Sequence, residues 1–208
     1  MSRAYSDIAF TPTVRAMQRR MGSRASYARL DQSEDRRDAL TEREAEFIHG
    51  RDGFYQATVS ETGWPYVQFR GGPAGFLKVL DAKTLAYADF RGNLQYISVG
   101  NLEGNDRVSL LLMDYANQRR LKILGRVRLV NEAEDPALLA RLKLPQYRAE
   151  VERAFVITVD AYDWNCPQHI TPRFTEAEIE QAVQPLRAEL EQARRELARL
   201  RSASAKQP

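Results

Sequence analysis

Cysteine is almost missing from these 208 residues: Cys166 stands alone, so no disulfide can form within the chain. That usage suits a reducing, cytoplasmic compartment. Long apolar runs are missing as well, since the longest, "VSLLLM" at 108–113, falls far short of the ~20 residues that span a bilayer. The opening "MSRAYSDIAF" lacks the apolar stretch of a signal peptide. Neither a membrane-embedded nor a secreted protein is expected. Histidine is scarce, with only His49 and His169, and a zinc site wants about three or four ligands. No metal is expected.

What remains is an average globular composition, 43% hydrophobic and 28% charged, long enough to bury a full core. The net charge of +3 is unevenly placed. Six arginines (Arg3, Arg15, Arg19, Arg20, Arg24 and Arg29) face Asp7 alone within the first thirty residues. A basic arm of that kind could grip nucleic acid or an acidic surface. Without interleaved aromatics, an arm packed on the body of the protein is the favoured reading, and a nucleic-acid partner is not expected.

Periodicity divides the chain into a basic helical arm (1–40), a central domain (41–165) and a C-terminal loop with a heptad-patterned helix (166–208). In the arm, "TPTVRAMQRRMG" reads as a helix ended by Gly22, followed by a polar connection, "ASYARLDQSEDRRD". A second helix opens at "TERE", with Thr41 and Glu44 as a capping box and Gly50 as the stop. His49, in its last turn, complements the helix dipole and is given no chemistry. From residue 54 the period becomes that of strands, in seven short segments with close turns. Such a pattern predicts a mainly β fold with flanking helices, an antiparallel barrel closed or nearly closed. In the tail, Ile179, Val183, Leu186, Leu190, Ala193, Leu197 and Leu200 step by four and three, a seam that wants a partner helix. Pro185 should kink that helix or start a new segment.

The chemistry concentrates in "YVQFRGGPAGFLKVLD". If "GGPAG" closes a hairpin, Gln68, Arg70, Phe76 and Lys78 share one face, with Arg70 and Lys78 on a diagonal of roughly 7–8 Å. Two cations facing inward need a counter-charge. A phosphate would supply it; the equal alternative is that this face is simply open to solvent. In "ADFRGNLQYIS", Asn93 is placed to cap a helix whose free amides could hold phosphate oxygens.

The order "GWPYVQFRGG", "GFLKVLD", "LAYAD", "GNLQYISVGNL", "DRVSLLLMDY" and "RRLKILGRVRLV" resembles the pyridoxamine-phosphate oxidase-like FMN-binding family over residues 41–165. The ending "DWNCPQHITPRF" is similar to a subgroup other than the vitamin oxidases. The resemblance implies an FMN-binding split β-barrel, homodimeric, with FMN in clefts between subunits. It also assigns Lys78 to the flavin phosphate, Ala88 and Asp89 to the strand end beside the flavin, Asn93 and Gln95 to the phosphate clasp, and Arg120 to a later strand's contact. Pro73 stands where the oxidases carry a phosphate arginine, and Arg70 is the substitute on geometric grounds. The C-terminal arginine and histidine motif of the vitamin oxidases has no counterpart.

"WNCPQH" at 164–169 allows three readings. Cys166 with His169 supplies only two metal ligands. A Cys166 nucleophile would need His169 as its base across Pro167. In the favoured reading, Trp164, Asn165, Gln168 and His169 form a pocket wall for the polar edges of a flavin. The expected function is an FMN-dependent oxidoreductase, with a non-catalytic flavin carrier as the alternative and a basic-arm nucleic-acid binder behind both.

Overall fold

The computed structural model describes residues 2–31, 33–34, 36–164 and 167–204. Seven strands, β1 (Gly53–Val59), β2 (Pro65–Gly71), β3 (Lys78–Asp81), β4 (Thr84–Phe90), β5 (Arg107–Asp114), β6 (Arg119–Val130) and β7 (Val151–Trp164), form one antiparallel sheet. Their order is β2-β1-β5-β6-β7-β4-β3. The sheet curls around one core and leaves its two edges unpaired, a split barrel. Alternation dictates which side chains fill it. Phe54, Leu110, Leu112, Leu121, Ile123, Tyr87 and Phe155 point inward and are almost fully buried. Two aromatic stacks hold the centre, Phe54 on Phe76 at 5.6 Å and Tyr87 on Phe155 at 4.8 Å.

Helices cover part of the outside. α1 (Arg3–Ala9), α2 (Pro12–Arg20), α3 (Arg24–Asp31) and α4 (Glu42–His49) precede the sheet, α5 (Ile97–Gly104) and α6 (Pro136–Leu142) lie between strands, and α7 (Glu176–Ser204) closes the chain. On the outer face of β4 and β7, Ala86, Ala88 and Ala154 are small enough for α6 to press Leu138, Leu139 and Leu142 against them. Gly125 permits the irregularity between β6 and β7, because a Cβ there would lie 2.4 Å from the Thr158 carbonyl oxygen. The opposite outer face, on β2, β1 and β5, stays bare: Val67 is 60% exposed, Phe69 59% and Tyr55 37%.

The arm belongs to the body. Ser2 Oγ donates to the Tyr162 carbonyl at 2.7 Å, which fastens α1 beside β7. α2 matches the expected helix and ends before Gly22, whose φ is +73°. The first half of the expected connection after it is instead helical, as α3. There Arg15 and Arg24 both bind Asp31, and Arg24 also reaches Gln18, so ion pairs across the arm stabilise a polar helix. α1 was not anticipated. The predicted capping box on α4 is present, with Thr41 N donating to Glu44 Oε2 at 3.0 Å.

Two further expectations are corrected. β2 and β3 do not form a hairpin: they are the two opposite edges of the sheet. The segment between them crosses the end of the barrel, because Phe76 and Leu77 are drawn into the core and Phe76 N turns back onto the Pro73 carbonyl. Gln68 and Arg70 therefore do not share a strand pair with Lys78. The helix expected at Asn93 begins at Ile97, and α7 runs unbroken through Pro185.

Candidate functional site

Where β3 ends, β4 continues with a free edge that faces the free edge of β2. Across this split lies a recess of about 220 Å³, roofed by the loop from Gly92 to Tyr96 and the first turn of α5. β2 contributes Tyr66, Gln68 and Arg70, and β4 contributes Asp89. Arg70 donates to Asp89 Oδ1 at 2.7 Å, with side chains only 13% and 6% exposed. The counter-charge that Arg70 requires is thus a carboxylate of its own chain. Arg153 approaches the other Asp89 oxygen at 3.5 Å and holds Glu152 at 2.8 Å, and Tyr96 Oη donates to Glu152 at 2.8 Å. Burial pushes the Asp89 carboxyl above its usual range, against the opposing pull of Arg70 and Arg153. Arg70 Nε is buried without an acceptor among the described residues, while the guanidinium lies over the rings of Phe155 at 5.1 Å and Tyr87 at 5.8 Å.

The roof is built from unusual backbone. Leu94 and Tyr96 adopt left-handed φ values of +63° and +50°, uncommon without glycine. Asn93 accepts from Gln95 N at 3.2 Å, which tightens the loop. α5 receives no side-chain cap, and its first residues, Ile97, Ser98 and Val99, line the recess. Ser98 Oγ donates to Gln68 at 3.0 Å and ties the helix to β2. Deeper in the barrel, Tyr87 Oη donates to Gln56 Oε1 at 2.6 Å, and the Gln56 amide nitrogen is buried without a partner among the described residues.

The structure brings together Gln68, Arg70, Asp89, Asn93 and Gln95 in this recess. Ala88 borders a neighbouring hollow shared with Gln68 and Arg70. Lys78 lies elsewhere, opposite Ala86 on the sheet edge, and its side chain makes no ion pair or hydrogen bond among the described residues. Arg120 stands opposite Met113 on the bare outer face, half-buried, with its Nε buried and without an acceptor. Trp164 packs edge-on to Phe47 at 4.7 Å and donates to Glu44 at 2.6 Å. Arg43 and Arg119 lie over its ring at 4.7 and 4.9 Å. Gln168 and His169 occupy an exposed turn after β7, and Gln118 anchors that segment through the Ile170 carbonyl at 2.7 Å. Asn165 and Cys166 lie outside the described residues. Among those described, no cluster of metal-ligating side chains occurs.

Tyr66, Tyr96, Ser98 and Glu152 line the recess without having been expected there. Only the double left-handed turn could bring Tyr96 in, and no sequence pattern announces it. Glu152 arrives because β7, the last strand, inserts between β6 and β4.

For a flavin phosphate the residues fit in a specific way. Arg70 is already matched by Asp89, so within the recess attraction to an anion would come from the start of α5, while Lys78 and Arg120, whose side chains make no ion pair or hydrogen bond among the described residues, stand outside it.

The chain is similar to several solved structures. HupZ of Group A Streptococcus superposes with a TM-score of 0.46 at 17% identity, covering 65% of this chain and 99% of its own. An FMN-binding protein from Syntrophomonas wolfei gives 0.44 at 12% identity, covering 59% of this chain and 86% of its own. General Stress Protein 26 from Bacillus anthracis gives 0.40 at 17%, over 62% and 92%. No curated protein matches. The pyridoxamine 5'-phosphate oxidase family model matches residues 40–170, the whole barrel from two residues before α4 to the turn after β7, and the chain belongs to that family.

Proposed function

We propose that this chain is an FMN-dependent oxidoreductase acting as a cytoplasmic homodimer, with each flavin ring held between subunits. The carrying observation is a pair of cations, Lys78 and Arg120, whose side chains have no partner among the described residues, at two positions that the resemblance assigns to the flavin. A half-buried cation left unmatched is costly, and an arriving anion relieves that cost. Lys78 would meet the phosphate from the edge strand β3. Arg120 would lie beside the ring and favour its reduced, anionic form. Flavin supplies the hydride acceptor or donor, while the chain contributes orientation, charge and exclusion of water. The bare face of Tyr55, Val67 and Phe69 is the surface a second subunit would cover. No described helix is long and apolar enough to cross a membrane.

Titration with FMN and with riboflavin, read by flavin fluorescence, tests the assignment. FMN should bind more tightly, Lys78→Ala should erase the difference, and Arg120→Ala should weaken both ligands. Equal affinity for the two in the unaltered protein, or none for either, overturns the reading. Reduction by NADH or NADPH followed by many cycles of reoxidation separates an oxidoreductase from a flavin carrier.

A further inference from the structure

We infer that α7 pairs with α7 of a second copy of this chain as a parallel, in-register, two-stranded coiled coil. The helix is continuous from Glu176 to Ser204, about 44 Å at the usual rise. Its apolar residues follow a heptad with Val183, Leu190 and Leu197 at the first position and Ile179, Leu186, Ala193 and Leu200 at the fourth. Its own chain does not cover this seam: Ile179, Leu186, Leu190, Leu197 and Leu200 are 48–63% exposed. Pro185 falls on the outward side, where its missing N–H leaves the seam undisturbed.

Charge selects the partner and the direction. The positions flanking the seam are Glu189 and Glu196 on one side and Arg187, Arg194 and Arg201 on the other. Arg187 is engaged by Glu180 within the helix, whereas Glu189, Arg194, Glu196 and Arg201 make no ion pair among the described residues. In a parallel pair of identical helices, Glu189 meets Arg194 of the second copy and Glu196 meets its Arg201, each contact occurring twice. In an antiparallel pair, glutamates would face glutamates and arginines face arginines. Three heptads alone are marginal, but a second contact adjoins this one. Phe174, 60% exposed just before α7, shares a recess with Tyr55, Phe69 and Met113 on the bare sheet face. Seam and sheet face are therefore contiguous, and one second copy covers both, each contact raising the effective concentration for the other.

The homodimer of the proposed function could form through the sheet face alone, so the test reads α7 by itself and does not depend on flavin. In the full chain with Cys166→Ser, a single cysteine is introduced at Leu200→Cys, on the seam, or at Arg195→Cys, on the outward side. Under mild oxidation by glutathione disulfide, the first should give a disulfide-linked dimer at least about tenfold faster, because only seam positions bring two Cβ atoms within bridging distance in a parallel pair. An antiparallel pair would hold the two residues 200 about 30 Å apart. Adding Arg194→Glu and Arg201→Glu to the seam variant should slow the reaction by about tenfold. Mixing that protein with a seam variant carrying Glu189→Arg and Glu196→Arg should restore it as a mixed dimer. Equal rates at 195 and 200, no bridge at 200, or indifference to charge reversal each overturns the inference, and the last two would assign the seam to a different partner.

Discussion

Replacing Asp89 with alanine strands Arg70 in the split of the barrel. The intact pair meets at 2.7 Å with 13% and 6% of the two side chains exposed. Removing one member of a buried pair costs roughly 3–5 kcal/mol, since the survivor keeps its desolvation without its partner. Arg70 would retain its contacts over the Phe155 and Tyr87 rings, and it borders an open recess that can admit water. Those two reliefs place Asp89→Ala near the lower bound, about 3 kcal/mol. In a chain of this size that corresponds to a fall in Tm of roughly 6–12 °C. Thermal melts followed by circular dichroism measure it directly. The control is Arg70→Met with Asp89→Ala, which removes both charges and keeps apolar volume, and it should recover at least half of the loss. A single-variant loss below about 1 kcal/mol, or a double variant equal to the sum of the singles, would refute the view that this pair clasps the two free edges.

Burial raises the Asp89 carboxyl, so the native chain holds that proton more tightly than the unfolded one. Its contribution to stability is full below the unfolded value of about 3.9 and is lost as pH rises through the folded one. The stability of the wild type relative to Asp89→Asn should therefore decline from acid towards neutral pH in chemical denaturation, and a rise would contradict the assignment. Tyr87→Phe removes the donor to Gln56 inside the barrel and should cost about 1–3 kcal/mol in the same assay; no loss would mean that Gln56 finds another partner. Trp164→Ala should cost about 3 kcal/mol, by loss of the Phe47 contact and of the donor to Glu44, whereas Trp164→Phe should cost only about 1. Similar losses for both would show that the hydrogen bond outweighs the packing.

The strands were legible because their alternation is local: Phe54, Gln56 and Thr58 against Tyr55 and Ala57 give the face of β1 without reference to any other strand. Pairing is a different kind of fact. "GGPAG" reads as a hairpin turn between two strands that are neighbours in sequence, yet the burial of Phe76 and Leu77 carries the chain across the barrel to its far edge. For the same reason Asn93, Gln95, Gln68 and Arg70 were found together while the partner of Arg70 was missed. Asp89 meets it only because β2 and β4 end on opposite sides of one split. α3 escaped because its apolar pattern is weak and its order comes from Arg15, Arg24 and Asp31.

The sheet order has a consequence during synthesis. β4 lies beside β7 and not beside β5 or β6, so its long edge waits for a strand that begins roughly 60 residues later. At ribosomal rates of about 5–20 residues per second, that interval is on the order of 3–12 s. Throughout it, Leu85 and Tyr87 in the emerging hairpin of β3 and β4 lack Ile157 and Phe155, their neighbours on β7. A nascent chain in that condition is a substrate for chaperones that hold exposed apolar strands, and slowing translation between residues 90 and 151 should lower the soluble yield.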